Sequence, residues 1–479
     1  MKILLINPPT ENILEIGIDS ELMDMAGTFP PVGLLYIATV VKQKGHTPVI
    51  IDCPSEKISH TRLISIVKDH QPDVVGITTF TTTMTDVLMC ARNVKLINNS
   101  ILTVLGGHHI YSYPEESIEY DHIDYILQGE ADFSFCELLN AVEKNQTPEE
   151  IVKIDGIGFK RNGHPYFNPK VSFIHDLDSL PVPDRSLLPE VKYSSVFNSD
   201  DQEISIISSR GCPFNCSFCF SPEKNYRSRS NEHILSEIKL LYRQGHRNFF
   251  FFDDLFSLNV NKIRDISELF IQEGLNLSWS YRGRIGSVTD ESVTIARKSG
   301  LKRIQFGIES FNQDVLDACG KHNRVEDIYS AIRICKKHKV TAVGNLMIGL
   351  PGQTKDVVLS DIRASKRSGL DFVEYNLYTP LPHTRVYNEA IEKKIIPFDF
   401  WRKFARDPIN EHGNFRMYYY ENELSAEQQF QLCRYAFRSF YLRPKFILAR
   451  LLSIRSFAEL KDHITGACKL LLFNPESHE

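Results

Sequence analysis

The sequence predicts an α/β fold made of two successive series of β/α units and a small helical region after them. Three observations predict it. Short runs rich in Ile, Val and Leu, without polar alternation, recur from residue 1 to about 385, as expected of parallel strands covered on both faces. Stretches of helical periodicity separate these runs, and glycine follows several of them. From residue 386 onward the strand signal stops.

The first series spans residues 1–145. Lys2–Asn7, Thr47–Ile51, Asp73–Thr78, Ile101–Leu105 and Asp124–Leu127 read as strands. Gly33–Lys44, Thr85–Lys95 and Phe133–Val142 read as helices, the first stopped by Gly45. Such units predict a doubly wound, Rossmann-like open sheet with its ligand in the crevice at the carboxyl ends of the strands. Residues 146–200 read as a connector. In it Lys160–Pro165 has the form of a hairpin turn, and Leu177–Asp184 is proline-rich and extended.

The second series spans residues 201–385. Its strands are Ile204–Ser208, Asn248–Phe252, Leu277–Tyr281, Arg303–Gly307, Thr341–Ile348 and Phe372–Tyr378. Gly245, Gly274, Gly300 and Gly369 stand at helix C-caps. The helix from Asn231 carries Ile234, Leu235, Ile238, Leu241 and Tyr242 on one face. Six strands with helical crossovers predict a partial β/α barrel, open where a closed eight-stranded barrel would continue. In the tail, 386–479, Ser425–Phe440 and Pro444–Ala458 read as helices, and Ser425 with Gln428 forms a capping box.

Composition narrows the function classes. Of 479 residues, 42% are apolar and 24% charged, the balance of an ordinary globular enzyme. A net charge of −5 gives no sign of a broad nucleic-acid surface. The basic cluster Lys224–Arg229 reads as a solvated face or a phosphate clamp. The apolar start Met1–Asn7 is too short for a signal peptide, and no uncharged stretch reaches the ~18 residues of a membrane span. Ten cysteines without a regular framework point to a reducing, cytoplasmic setting.

Three of those cysteines carry the chemistry. Cys212, Cys216 and Cys219 are spaced C-x3-C-x2-C with no nearby fourth ligand. Structural zinc is normally closed by four protein ligands, whereas cysteine thiolates hold cubane iron–sulfur clusters. Three thiolates on a four-iron cluster leave one iron open. A zinc knuckle or three free thiols is the other reading, but His175 and His233 are not at zinc-ligand spacing.

The cysteine spacing resembles the signature of the radical S-adenosylmethionine (radical SAM) superfamily. Ahead of it, Phe29–Ala38, Gly76–Thr79, Gly106–His109 and Gly129–Asp132 occur in the order seen in the cobalamin-binding domain fused to many radical SAM proteins. The resemblance covers residues 1 to about 385. It implies a [4Fe-4S] cluster on Cys212, Cys216 and Cys219, SAM on the open iron, cobalamin in the first domain, and an external electron donor of flavodoxin or ferredoxin type.

It also implies roles for other residues. Phe218 would lie against the adenine. Asp253 and Asp254, in place of the usual Gly-Gly-Glu, would take the SAM amino group. Arg284 would fork the SAM carboxylate, with a surface ion pair as the other reading. Glu309 would set the ribose or methionine end, and Gly349 an adenine edge. Thr78, Thr79, Gly106 and Gly107, with Gly129 on the next strand end, would line the slot for the corrinoid nucleotide tail.

The chain departs from the family pattern at His383, where Thr-Pro-x-Pro-Gly-Thr has glycine, which puts the backbone there in doubt. It lacks Asp-x-His-x-x-Gly, since Asp69 and His70 are adjacent, so cobalt would carry no histidine lower ligand. Leu22, Met23 and Met25 of the loop 12–29 would cover the lower corrin face or pack as ordinary hydrophobes.

The resemblance implies a methyltransferase acting on an unactivated carbon through a 5′-deoxyadenosyl radical and methylcobalamin. A ring-forming or rearranging enzyme is the alternative. A methylthiotransferase fits less well, because the contexts of Cys53, Cys90 and Cys136 do not match, and a non-catalytic iron–sulfur or corrinoid module remains the fourth reading. The expected substrate is a small or lipid-like molecule. Tyr375, Tyr378, Phe398, Phe400 and Trp401 point to an apolar or planar one, or simply to core packing.

Overall fold

Ile3, Leu4, Leu5 and Ile6 are all buried, because the strand that carries them, β1 (Lys2–Asn7), is flanked on both edges and covered on both faces. The computed structural model describes residues 1–14, 27–191, 193–195, 202–256, 258 and 260–453. The chain divides into two compact units. The first joins Met1–Leu14, Thr28–Tyr193 and Asp399–Arg416, and the second holds Ser194–Phe398 and the chain from Met417.

In the first unit β1 is joined by β2 (Thr47–Asp52), β3 (Val74–Thr78), β4 (Leu102–Gly106) and β5 (Tyr125–Leu127), all parallel. The order β2-β1-β3-β4-β5 reverses direction between β1 and β3, and a ligand crevice opens at such a switch point. Helices Val32–Gln43, His60–His70, Met84–Ile97 and Ser134–Glu143 form the crossovers. The expected hairpin of the connector does more than turn the chain. β6 (Ile157–Arg161) and β7 (His164–Phe167) add two antiparallel strands beyond β5. The apolar run of β6 is short and β7 is largely exposed, so neither stands out as a strand in the sequence.

Residues 399–416 return to this first unit. Arg402 pairs with Glu116 at 3.2 Å, Thr85 Oγ1 donates to the Pro408 carbonyl at 3.1 Å, and Tyr120 donates to the Ala405 carbonyl. Trp401 is wholly buried, so this aromatic residue packs as core.

In the second unit β8 (Glu203–Ile206), β9 (Asn248–Phe251), β10 (Ser278–Gly283), β11 (Leu301–Glu309), β12 (Thr341–Ile348) and β13 (Phe372–Leu377) are parallel and follow one another in sequence order. Phe249, Phe251, Trp279, Tyr281, Ile304, Phe306, Leu346 and Val373 belong to the core beneath the helices. Trp279 keeps its indole proton satisfied on Ser299 Oγ at 3.1 Å. The opposite face differs from the aliphatic filling of a closed barrel: it carries Arg282, Arg303, Gln305, Asn345 and Glu374.

Gly300 and Gly369 adopt the left-handed conformation expected of helix ends, at φ +104° and +98°. The helix Ala426–Tyr441 starts with the expected Ser425–Gln428 capping box and covers β13. There Tyr441 accepts from the Val373 N–H at 3.1 Å and donates to its carbonyl at 2.7 Å, which closes an otherwise unpaired edge. The helix Pro444–Ser453 follows, and the rest of its expected span lies outside the described residues. So does the stretch of the loop 12–29 that carries Leu22, Met23 and Met25. No described helix is long and apolar enough to cross a membrane.

Candidate cofactor and active site

The three cysteines ride on one loop that leaves the end of β8. An antiparallel bridge of Ser209–Arg210 with Arg227–Ser228 closes its base, and Cys212 N donates to the Glu223 carbonyl at 3.0 Å. Its tip is clamped at Ser217, whose N–H donates to the Cys319 carbonyl at 2.9 Å and whose carbonyl accepts from Val386 N at 3.1 Å. Burial, and then the neighbouring sulfurs of Cys216 and Cys212, push the Cys219 thiol up to about 11. The residue as a whole is exposed.

Among the described residues no three His, Cys, Asp or Glu side chains converge tightly enough for a single metal ion. A cubane, whose corners are held apart by its own sulfides, asks for wider spacing and an all-sulfur donor set. The triplet fits that donor chemistry.

The two adjacent aspartates at the end of β9 are built for different tasks. Asp253 is fully buried. It accepts from Ser208 N and Ser209 N, both at 2.6 Å, and from Ser208 Oγ at 2.9 Å. Burial raises its pKa against the opposing pull of Lys262 and these hydrogen bonds. Lys262, lowered by burial to about 8, donates to Ser208 Oγ at 2.9 Å and Ser228 Oγ at 2.8 Å. Asp253 therefore ties the strand end to the root of the cysteine loop. Asp254 is exposed at the same strand end, near enough to act electrostatically on Cys219.

Arg284, just past β10, lies with its guanidinium 3.6 Å from the Phe214 ring of the cysteine loop and donates to the Lys321 carbonyl. Lys321 in turn reaches Glu309 Oε1 at 2.6 Å, with both side chains buried, and stands 5.8 Å from the Phe218 ring. Glu309 sits at φ +66° where the pairing of β11 with β12 shifts register between Gly307 and Glu309. A non-glycine residue in this region is strained, and such strain gathers at functional sites. The segment Cys319–Lys321 thus links Phe218, Arg284 and Glu309 to the cysteine loop. Sequence reading passed over Lys321, since one lysine after a short helix looks like any solvated lysine.

The close approach at Gly349 is made by a protein group. A Cβ there would meet Gln429 Oε1 at 2.3 Å. Gln429 donates to the Tyr420 and Leu424 carbonyls at 2.9 and 3.1 Å, and among the described residues its buried Oε1 has no hydrogen-bond donor. His383 answers the doubt about its loop. It stands at φ +61°, the conformation glycine would supply, and its ring lies 5.5 Å from Phe220 of the cysteine loop.

In the first unit the loops after β3 and β4 close on each other. Thr79 N and Oγ1 donate to the Gly106 carbonyl at 2.7 and 2.8 Å. Gly107 has φ +112°, and a Cβ there would lie 2.7 Å from the Thr79 carbonyl oxygen and 3.2 Å from Thr78 Oγ1. Thr78, Thr79, Gly106 and Gly107 are therefore brought together, so closely that the Thr79 backbone leaves no room for a side chain at 107. Gly129, φ +82°, lies past the end of β5, where a Cβ would meet the Tyr111 hydroxyl at 2.8 Å. Beside Gly107 the rings of Phe80 and His108 stack at 5.3 Å, a pair that sequence reading did not single out. His109, next to it, is wholly buried, its pKa lowered by burial to about 3.

Residues 206–365 match the Radical SAM superfamily, and residues 22–139 match the B12 binding domain. The chain is similar to an uncharacterized methyltransferase of Pyrococcus horikoshii, with 33% identity across 98% of both chains. It also resembles the anaerobic magnesium-protoporphyrin IX monomethyl ester cyclase of Rubrivivax gelatinosus, with 27% identity over 81% of this chain and 70% of the relative. In fold it resembles the radical S-adenosylmethionine methyltransferase TsrM of Kitasatospora setae, solved with cobalamin and a [4Fe-4S] cluster. The TM-score is 0.68 at 17% identity, covering 82% of this chain and 78% of that one.

Proposed function

This chain belongs to the cobalamin-dependent radical SAM family, whose cofactors are a [4Fe-4S] cluster, SAM and cobalamin, and from that premise we propose that it methylates an unactivated carbon of a small or lipid-like molecule. The observation that carries the reading is a three-cysteine loop clamped at Ser217 to Cys319 and Val386, beside the buried Glu309–Lys321 pair, in a chain that also holds a B12 binding domain. Similarity along 98% of the chain to a relative named a methyltransferase supports methylation in particular. When bound, the cluster and SAM supply reductive radical chemistry, and cobalamin supplies a methyl carrier.

The chain's own residues do the holding. Cys212, Cys216 and Cys219 would hold the cluster by three thiolates, which would leave one iron for SAM. Asp254, exposed at its strand end, takes the SAM amino group, while Asp253 fixes the loop that carries the cysteines. Lys321 keeps Glu309 oriented toward the ribose, and Arg284, with donors beyond the one given to Lys321, takes the carboxylate. Phe218 and the Gly349 backbone flank the adenine. Thr78, Thr79, Gly106, Gly107 and Gly129 shape the slot for the corrinoid tail, Thr79 by its bond to Gly106. An electron donor of flavodoxin or ferredoxin type feeds the cluster.

The test is anaerobic incubation of the reconstituted full chain with methyl-deuterated SAM, a reductant and small-molecule extracts of its source. A product carrying the labelled methyl supports the reading. Deoxyadenosine accompanied by a cyclised or rearranged, unlabelled product would instead favour the second reading, which rests on similarity to the Rubrivivax gelatinosus cyclase.

A further inference from the structure

The polar lining of the second sheet contains one group that the cofactor assignments leave idle. Gln305 donates its amide to Glu374 Oε2 at 3.0 Å and to Asn345 Oδ1 at 3.3 Å. Nearby, Arg303 is held by both oxygens of Glu203, at 3.1 and 3.0 Å. Arg282 is treated differently. It is half-buried, with its guanidinium 4.0 Å from the Phe252 ring centroid and 5.9 Å from that of Phe250. Among the described residues it donates no hydrogen bond and forms no ion pair. Burial lowers its pKa, while Glu374 and Asp254 act on it through space.

The charge of Arg282 is balanced through space by Glu374 and Asp254, and its hydrogen-bond donors remain available to a ligand. A guanidinium lying on an aromatic ring presents its planar fork outward, where a carboxylate fits it in two parallel hydrogen bonds. Arg282 lies within β10, two residues before Arg284, which stands past the end of the strand. It therefore lies below the level assigned to SAM. The nearby carboxylates of Glu374 and Asp254 oppose a doubly charged phosphate more strongly than a singly charged carboxylate.

We propose that Arg282, backed by Phe252, binds a carboxylate of the substrate inside the second sheet, so that the substrate is a carboxylic acid. The inference rests on the radical SAM reading for the position of SAM above it. The carboxylate of SAM is the other possible source of the same chemistry, and the experiment separates the two.

The reconstituted full chain is treated with phenylglyoxal, and modification of Arg282 is followed by peptide mass spectrometry. The probes are benzoate, its neutral analogue benzamide, and SAM. Benzoate at about four times its dissociation constant is expected to slow modification of Arg282 about fivefold, the factor set by 1 + [L]/Kd, while benzamide and SAM leave the rate unchanged. In parallel, Arg282→Met is expected to bind iron normally and to hold SAM within about a factor of two of the unaltered chain, a change under ~0.5 kcal/mol. Protection by SAM as strong as by benzoate, or a large loss of SAM affinity in Arg282→Met, would hand Arg282 to the cofactor and overturn the proposal. Equal protection by benzamide, or none by benzoate, would overturn it too. Failure to assemble a cluster or bind SAM at all would instead strike the underlying reading and leave the benzoate result readable on its own.

Discussion

Gly307 is where one atom decides the site. A Cβ there would lie 2.7 Å from Glu309 Oε1 and 2.8 Å from Lys321 Nζ, so even alanine must displace the tips of the buried ion pair. Gly307→Ala is expected to weaken SAM binding about tenfold, or ~1.4 kcal/mol, in equilibrium dialysis, while iron content stays unchanged. Unaltered affinity would mean that the Glu309–Lys321 pair does not face SAM. At this scale the sequence was uneven. The cysteine triplet stood out by its spacing, and the Asp253–Asp254 pair because charged groups at a strand end are poor core material. Which aspartate faces outward was not legible, because the difference lies in the Ser208 and Ser209 amides that approach only after folding. Lys321 was missed for the same reason: its partner, twelve residues away at Glu309, is met only through a bulge in β11.

At the scale of elements, the carboxyl end of β11 is fixed from behind by the helix Lys355–Ser368. Its Asp361 accepts from Ser310 Oγ at 2.6 Å and from Phe311 N at 2.8 Å. Burial raises the Asp361 pKa to about 6 against these hydrogen bonds. A carboxyl with a raised pKa binds its proton more tightly in the folded chain than in the unfolded one. Its stabilising share is therefore complete at low pH and is lost as pH rises through the folded pKa. Relative to Asp361→Asn, the chain is expected to lose up to about 3 kcal/mol between roughly pH 4 and pH 6, and little more above. Paired urea melts across that range check it, and parallel pH profiles of the two proteins would refute it. Strands and helices were mostly legible here, since unalternated apolar runs and terminal glycines follow directly from two-sided burial. The hairpin β6–β7 was legible as a turn but not as a sheet edge, because half-exposed strands carry no continuous apolar run.

For the molecule as a whole, the order of β/α units foretold two sheets and their sequence. The return of residues 399–416 to the first unit was not foretold. That segment is short, and its apolar residues Phe400, Trp401 and Phe404 would read the same whichever core they entered. The same holds for the lumen of the second sheet. Four phenylalanines in a row, Phe249–Phe252, look buried on both faces, and only the folded register shows that one face meets Arg282 and Arg303.

All the chemistry rests on the cysteine loop, and anaerobic reconstitution with iron and sulfide, followed by electron paramagnetic resonance of the reduced protein with and without SAM, probes it most directly. The account predicts about four irons per chain, a signal that SAM perturbs, and loss of both in Cys212→Ala, Cys216→Ala and Cys219→Ala. A chain that binds one tetrahedral metal ion and no sulfide-bridged iron, or a cluster signal indifferent to SAM, would contradict it.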